Sequence, residues 1–591
     1  MTESSGKPNE SGSPAACFYD AKRKVWLTFR DPEEIIVAHK INDVLPALRK
    51  VENAAREDDL HAAGFVSYDA ASAFERQMQA KPDLNFPLVW FGLFREPECS
   101  IDFPEPQRRS NIPDYDWVPS VSEAEYAKSI DRIKQHIERG ETYQVNYTFR
   151  LRSGLQEPPA SLFARMVASQ GEGYSAFVDT GRWVICSASP ELFFESDGIR
   201  LVSRPMKGTA ARGLTRDDDL ECAEWLRNSE KNRAENVMIV DMVRHDLGRI
   251  ARKGTVRVDR LFDVEQYPTL WQMTSTVSCE SDAGLTEVFQ ALFPAASITG
   301  APKIRTMQII DELEKTPRRL YTGTAGFVAP GGRCQFNVAI RTVTVDRETN
   351  SAEYGVGGGI VWDSTETGEY DECRTKARVL THPVPDCALL ESFLWTPRDG
   401  YFLLDLHLKR LAASAAYFGF PHDIAEIRRQ LDAAAPRSSS EPHKVRLLVS
   451  KMGKTTIESA PLSAAAGNDG PVRLRLATSP IDPANIFLYH KTTQREVYEE
   501  AARQAGDCDD AVLWNPSGEI TETCIANIVA EIDGELVTPP VRCGLLGGVF
   551  REKLLADGML KERPIKQQEL RKATKVYVIN SVRSWREAIL L

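Results

Sequence analysis

Two prolines one residue apart, Pro383 and Pro385 in THPVPDCA (381–388), constrain the architecture of this chain more than any other feature. Proline lacks a backbone N–H and disfavours helix in the residue before it, so the helical pattern carrying Lys376 and Val379 must stop there. A chain of 591 residues needs such a break, because a single hydrophobic core stops growing well below that length. The expected organisation is a disordered tail over 1–16, a first unit over 17–382 whose N-terminal part runs to 120, a linker over 383–388, and a second unit over 389–591. ESAPLSAAAGNDGPVR (458–473) is poor in large apolar residues, which predicts a linker between two lobes, 389–475 and 476–591.

Local patterns predict mixed α+β structure. Ser122 with Glu125 forms a capping box, Tyr126, Ile130, Ile133 and Ile137 recur at helical spacing, and Gly140 supplies the stop. GETYQVNYTFRL (140–151) reads as a strand, SEKNRAENVMIVDMVRHDLGRI (229–250) as a helix, and QFNVAIRTVTV (335–345) as one alternating strand. FPEPQRRSNIPDYDWVP (103–119) is a Pro-rich crossing.

Charge and hydropathy narrow the function classes. Lys and Arg number 73 against 84 Asp and Glu, a net charge of −11, so no basic field exists to hold a phosphodiester backbone and nucleic acid is not expected as a partner. No apolar run spans a bilayer and the N-terminus lacks a hydrophobic signal core, so a cytoplasmic protein is expected. The eleven cysteines include no CxxC pair and read as reduced thiols. GVGGGIVWD (355–363) fails as a dinucleotide fingerprint because its third glycine position is Ile360. GKTT (453–456) fails as a phosphate loop because Leu448 replaces the required glycine.

Four segments of the first unit join Gly- or Pro-bearing turns to ionisable groups: SASPELFFE (187–195), RPMKGTAAR (204–212), FPAASITGAPKIRTM (293–307) and YGVGGGIVWDSTETGEYDECRTKA (354–377). Glu369, Glu372 and Lys376 fall on one helix face, which by pattern alone is an exposed charged face. Together with GETYQVNY and KNRAENVMIVD, these segments resemble the chorismate-utilising enzymes over about residues 60–380. That family includes anthranilate synthase component I, aminodeoxychorismate synthase component I, and the isochorismate and salicylate synthases, and the resemblance implies a two-sheet α/β sandwich. It also implies that Lys207 attacks the chorismate ring, where anthranilate synthases usually carry alanine, and that Glu191 is the general acid and base at C4. Such a lysine must be neutral, which requires burial or a nearby cation. By the same resemblance Glu235 and Glu372 bind Mg²⁺ with Glu369 in support, while Arg341, Tyr321, Thr299, Lys376 and the amides around Gly357 and Gly358 hold the substrate. Gln272 stands where many relatives have histidine.

The second unit carries LLESFLW (389–395), LDLHLKRLAASAAYFGFP (404–421), YHKTTQREVY (489–498), GEITETCIANIV (518–529), TPPVRCGLLGGVFRE (538–552) and VINSVRSWREA (578–588). In this order they resemble the fold-type IV pyridoxal-phosphate enzymes: branched-chain and D-amino-acid aminotransferases and aminodeoxychorismate lyase. The resemblance implies that Lys491 anchors pyridoxal 5′-phosphate, that Arg410 and the amides of Gly548 and Val549 cup its phosphate, and that Glu522 faces its ring nitrogen. Ser581 and Arg583, in Asn580-Ser581-Val582-Arg583, look like the lyase ending, Ser581 serving the cofactor and Arg583 the substrate.

The combined expectation is an enzyme of two activities that converts chorismate and ammonia into aminodeoxychorismate and then into 4-aminobenzoate and pyruvate, a folate precursor route. A glutamine amidotransferase subunit is expected to supply the ammonia, and a homodimer through the second unit is expected. The alternatives are an anthranilate-type synthase fused to a branched-chain-type aminotransferase, or one unit that only binds.

Overall fold

The computed structural model describes residues 15–101, 115–171, 173–381, 387–462 and 470–591. The tail up to residue 14, most of the Pro-rich crossing, most of the 383–388 linker and the middle of 458–473 lie outside the described residues. The chain falls into two units, one reaching Val384 and the other starting at Pro385, except that Arg212–Cys222 groups with the second unit rather than the first.

The first unit is built on two antiparallel sheets of ten strands each among the described residues. One holds Gln144–Gly154, Ser351–Ile360, Thr342–Asp346 and Ala16–Asp20; the other holds Met206–Ala211, Leu270–Glu280, Leu192–Ser196 and Cys334–Asn337. Aromatic and aliphatic residues from both sheets, including Phe18, Phe29, Phe65, Trp90 and Phe327, form the layer between them. Helices Glu123–Glu138, Pro159–Gln170 and Lys303–Leu313 cover the outer face of the first sheet. Helices Ile41–Arg56, Glu230–Gly248 and Leu285–Leu292 cover that of the second. Each buried large side chain contributes about 1.5–3 kcal/mol, so these three layers of packing carry most of the stability.

The helix starts follow the sequence. Ser122 Oγ and the Glu125 carboxylate close the expected capping box, and Gly140 ends that region with φ +73°. Ser229 caps the helix Glu230–Gly248, which buries Asn236, Ile239, Val240, Val243 and Leu247 on one face. One expectation fails. The run 335–345 is two strands, Cys334–Asn337 in one sheet and Thr342–Asp346 in the other, joined by a crossing in which Arg341 adopts φ +51°. Alternation cannot reveal this, because the same alternating sequence runs through both halves while every residue of each strand is in fact buried.

The second unit has two lobes. A four-stranded sheet around Leu389–Thr396 and His443–Val449 packs on helices Leu404–Phe418 and Ile424–Ala434. An eight-stranded sheet follows, in which Ile520–Thr523 pairs with both Asp510–Trp514 and Asn527–Ile532 and so closes the sheet on itself. Val472–Leu476 pairs in parallel with Asp510–Trp514 and Ser584–Leu590, so the lobe boundary falls before Val472, not after residue 475. Among the described residues no helix is long and apolar enough to cross a membrane.

Two candidate active sites

In the first unit a cavity of about 120 Å³ opens between the acidic helix Glu366–Thr381 and the ends of both sheets. Lys207 reaches it through a β-bulge. Met206 lies opposite Thr274 and Thr209 opposite Gln272, so the lysine strand carries one residue more than its partner, and Gly208 takes φ +96° to absorb it. A bulge leaves a carbonyl without its ladder partner, and here Gln272 Nε2 donates to Gly208 O at 2.8 Å while Thr209 Oγ1 donates to Gln272 Oε1 at 3.2 Å. Gln272 thus clamps the bulge that aims Lys207. Burial drives the Lys207 pKa below the ordinary lysine range, with Glu235 opposing the shift and Lys376 adding to it.

Glu191 faces the same cavity and is 3% exposed. Burial pushes its carboxyl up to about 7, although Ser297 and the Met206 N–H at 3.4 Å offset part of the effect. The turn that presents it is fixed by Ser189, whose hydroxyl donates to Val338 O at 2.6 Å and accepts the Glu191 N–H at 3.2 Å. Opposite runs the glycine-rich strand Ser351–Ile360. A Cβ at Gly355 would lie 2.1 Å from the Tyr321 ring, and one at Gly359 would lie 2.6 Å from Lys207 Nζ, so any side chain there would fill the cavity.

Arg341, Tyr321, Gly357 and Lys376 line the cavity as expected. Arg341 donates to Lys376 O at 2.7 Å, and Lys376 Nζ donates to Gly357 O at 2.9 Å and pairs with Glu372 at 2.8 Å. Two expectations fail. Thr299 is fully buried and spends its hydroxyl on Ala295 O and Ala296 O, so its neighbours Ser297 and Ile298 line the wall in its place. Gly358 is not part of the lining; a Cβ there would point at Glu369 Oε2 and Lys376 Nζ, 3.0 and 3.7 Å away.

Glu235, Glu369 and Glu372 share the cavity wall, yet among the described residues no three acidic, His or Cys groups converge on a metal position. The Lys231 ammonium lies 4.0 Å from Glu235 and 3.9 Å from Glu369 instead. Lys231 precedes Glu235 by one helical turn, a spacing visible in the sequence that by itself reads as an ordinary surface ion pair. Burial raises the carboxyls of Glu369 and Glu235, and Glu372 adds to both shifts; burial acts on Glu372 too, but Lys376 brings it below its usual range.

Buried carboxyls of raised pKa make stability fall with pH. Glu191 and Asp69 are both pushed up to about 7, chiefly by burial, whereas unfolded they titrate near 4. Between about pH 4 and 7 the folded chain therefore binds more protons than the unfolded one, and the stability these protons provide is lost as pH rises. Asp69 lies away from the cavity lining and one of its oxygens has no hydrogen-bond partner. Asp69→Asn is expected to show a shallower decline of Tm between pH 5 and 8 than the wild type, read by scanning calorimetry; an unchanged slope would contradict the assignment.

The second unit holds a cavity of about 390 Å³ between its lobes, and every residue expected there lines it: Lys491, Arg410, Glu522, Gly548, Val549, Ser581 and Arg583. Burial lowers Lys491 to about 8, helped by Arg410 and Arg495 and opposed by Glu391. Burial also pushes Glu522 up to about 7, offset by the Leu546 N–H at 3.1 Å and the Tyr498 hydroxyl at 2.8 Å. Asn527 Nδ2 reaches its other oxygen at 3.3 Å. Gly548 caps the helix Val549–Ala556, so free N–H groups and the positive end of the helix dipole face the cavity. A Cβ at Gly548 would lie 1.9 Å from Asn527 Oδ1, which demands glycine. Arg410 donates to Gly547 O at 3.1 Å beside this cap. A buried lysine, a carboxyl across from it, and a cationic helix-end cup fit an aldehyde-bearing cofactor with a ring nitrogen and a phosphate. Lys444, Arg446, Arg495, Tyr498 and Asn527 also line the site and were not anticipated, since each reads singly as a strand or helix residue.

Comparison with known proteins agrees with this division. Residues 13–382 match the family described as chorismate binding enzyme, and 388–589 match amino-transferase class IV, the fold-type IV architecture. The chain is 41% identical over 258 residues to "Aminodeoxychorismate synthase" of Streptomyces griseus, a match covering 43% of this chain and only 35% of that protein. It is 38% identical over 354 residues to "Aminodeoxychorismate synthase component 1" of Bacillus subtilis, covering 54% of this chain and 75% of the relative. The crystal structure of anthranilate synthase component I from Streptococcus pneumoniae shares the fold of the first unit, with TM-score 0.52 and 22% identity over 65% of this chain and 95% of that one. On its larger unit, the chain belongs to the chorismate binding enzyme family.

Proposed function

We propose that the chain makes 4-aminobenzoate from chorismate in two reactions, amination at C4 in the first unit and elimination of pyruvate in the second. The observation that carries the first assignment is the bulge that sets a lysine of lowered pKa against Glu191 in one cavity. A neutral Lys207 amine forms a bond to the chorismate ring, and Glu191, protonated near neutral pH, gives its proton to the C4 hydroxyl, which leaves as water. Ammonia then bonds at C4, the Lys207–ring bond breaks, and Glu191 takes up the proton released by the incoming nitrogen. Arg341 and the Gly357 region bind the substrate carboxylates. Mg²⁺, which prefers a few carboxylates completed by water and anionic substrate, would have to displace Lys231 and Lys376 from Glu235, Glu369 and Glu372 to bind there. The fold alone does not choose between this reaction and the anthranilate one, because an anthranilate synthase shares it; Lys207 in the cavity is what favours amination at C4.

In the second unit the Lys491 amine, lowered by burial to a pKa of about 8, stands in the cavity as the base for the substrate. Lys491, Arg410, the Gly548–Val549 cap and Glu522 are the residues that would hold pyridoxal phosphate, which would supply an electron sink for the reaction at C4. Lys491 takes the C4 proton, the bond between the ring and the enolpyruvyl oxygen breaks, and Lys491 returns the proton to the departing group, so that pyruvate leaves and the ring becomes aromatic. Arg583, with Lys444 and Arg446, offers cationic partners to the substrate carboxylates. A glutaminase subunit is proposed as the ammonia source, in keeping with the "component 1" of the relative's name. The homodimer proposed for the second unit is read by light scattering.

Incubation of the purified chain with chorismate, ammonium, Mg²⁺ and pyridoxal phosphate is expected to yield 4-aminobenzoate and pyruvate, identified by mass spectrometry. Anthranilate, or no aromatic product, would overturn the reading.

A further inference from the structure

Three ionisable side chains of the second unit meet around a buried carboxylate. Glu391, on the strand Leu389–Thr396, is 1% exposed, and His407, on the helix Leu404–Phe418, is fully buried. One turn on from His407, Arg410 turns its fork onto the same carboxylate: Nε donates to Oε1 at 2.9 Å and the terminal nitrogen to Oε2 at 2.6 Å. His407 Nδ1 meets Oε2 at 2.6 Å. An ionised carboxylate only accepts, so Nδ1 carries the proton and Nε2, which has no hydrogen-bond partner, carries the lone pair. Arg410 and His407 hold Glu391 at a pKa of about 2 against the upward push of burial, so it is charged at every working pH.

Two carboxylate bonds occupy one edge of the guanidinium, and the Gly547 carbonyl occupies part of the remainder. The donors left over can project only toward the cap of Val549–Ala556 and the cavity. A long side chain has about 2 kcal/mol of rotamer entropy to lose, and a bidentate clamp removes that cost before any ligand arrives. Buried ion pairs are poor sources of stability, so a role in placing the fork explains this one better than folding does.

We infer that Glu391, oriented by His407, is a positioning residue that presets Arg410 for the phosphate of the cofactor. The inference rests on the pyridoxal-phosphate reading above and assigns Glu391 and His407 a task in it. It also predicts selectivity: only a ligand that carries a phosphate draws on the preset fork. Losing Glu391 has two opposed effects, since it removes a negative charge near the phosphate and also frees the arginine. Orientation should win, because the outer partners that fix metal-ligating side chains are typically worth 10–100-fold in affinity, and Glu391 fixes Arg410 in the same way.

The test compares pyridoxal phosphate with pyridoxal, which lacks the phosphate, on the full chain by absorbance and fluorescence titration. Glu391→Gln is expected to weaken pyridoxal phosphate about 10–100-fold more than pyridoxal, which registers only the loss of the Glu391 charge near Lys491, and Glu391→Asp to recover part of that difference. His407→Leu should show the same selectivity at a few-fold, which keeps the inference testable if Glu391→Gln does not fold. Equal weakening of both ligands, or pyridoxal phosphate affinity within threefold of wild type in a folded Glu391→Gln, would overturn the positioning role. Failure of the wild-type chain to bind pyridoxal phosphate would overturn the cofactor reading itself.

Discussion

Lys207→Ala is expected to lower the rate of chorismate amination by roughly 10³-fold or more while changing the KM for chorismate little. The side chain is proposed to act on the ring and not to hold the carboxylates, so its loss should appear in kcat. Lys207→Arg separates chemistry from charge: an arginine keeps the cation and much of the length, but it is never neutral and cannot attack. Both variants should therefore be inactive to a similar degree. An active Lys207→Arg would show that a positive charge at this place is enough, and would end the nucleophile assignment. The measurement is cleanest in a Lys491→Ala background, where the product of the first reaction accumulates and is counted by mass spectrometry.

The second large effect is at Lys491 itself. Lys491→Ala is expected to reduce pyruvate release by about 10⁴-fold and to leave aminodeoxychorismate in solution, with 4-aminobenzoate formed only at the rate of spontaneous elimination. Ammonia-dependent consumption of chorismate should continue at the wild-type rate, because Lys207, Glu191 and Arg341 lie in the other unit. Unchanged 4-aminobenzoate output would place the elimination elsewhere. Loss of both reactions would point to a folding defect, which circular dichroism detects.

Chemistry-bearing motifs were legible where local sequence dictates them. The two helix caps, the acidic face of Glu366–Thr381 and the residues of the second cavity lie where short motifs placed them. The misses share one cause, which is that tertiary structure decides them. A β-bulge is set by the pairing of two strands more than sixty residues apart, so the way Lys207 enters its cavity cannot be read from RPMKGTAAR. Thr299 satisfies its hydroxyl locally at the end of a short turn, an option that any threonine beside free carbonyls has. Arg341 lies in the connection between a strand of one sheet that ends at Asn337 and a strand of the other that begins at Thr342, and only the crossing reveals it. Glu391 looks like an ordinary strand residue until Arg410 and His407 are brought over it by the following helix.

The glycine strand has a consequence for how this cavity can change over generations. Gly355 and Gly359 are places where a side chain would collide with Tyr321 or Lys207, so mutation there removes function without offering a graded path. Adaptation toward a bulkier or differently substituted ring therefore falls on Ile298 and Ile340, aliphatic lining residues outside the glycine strand, where one methylene can be traded at a time. Drift along this lineage should leave one side of the pocket invariant and record its history on the other.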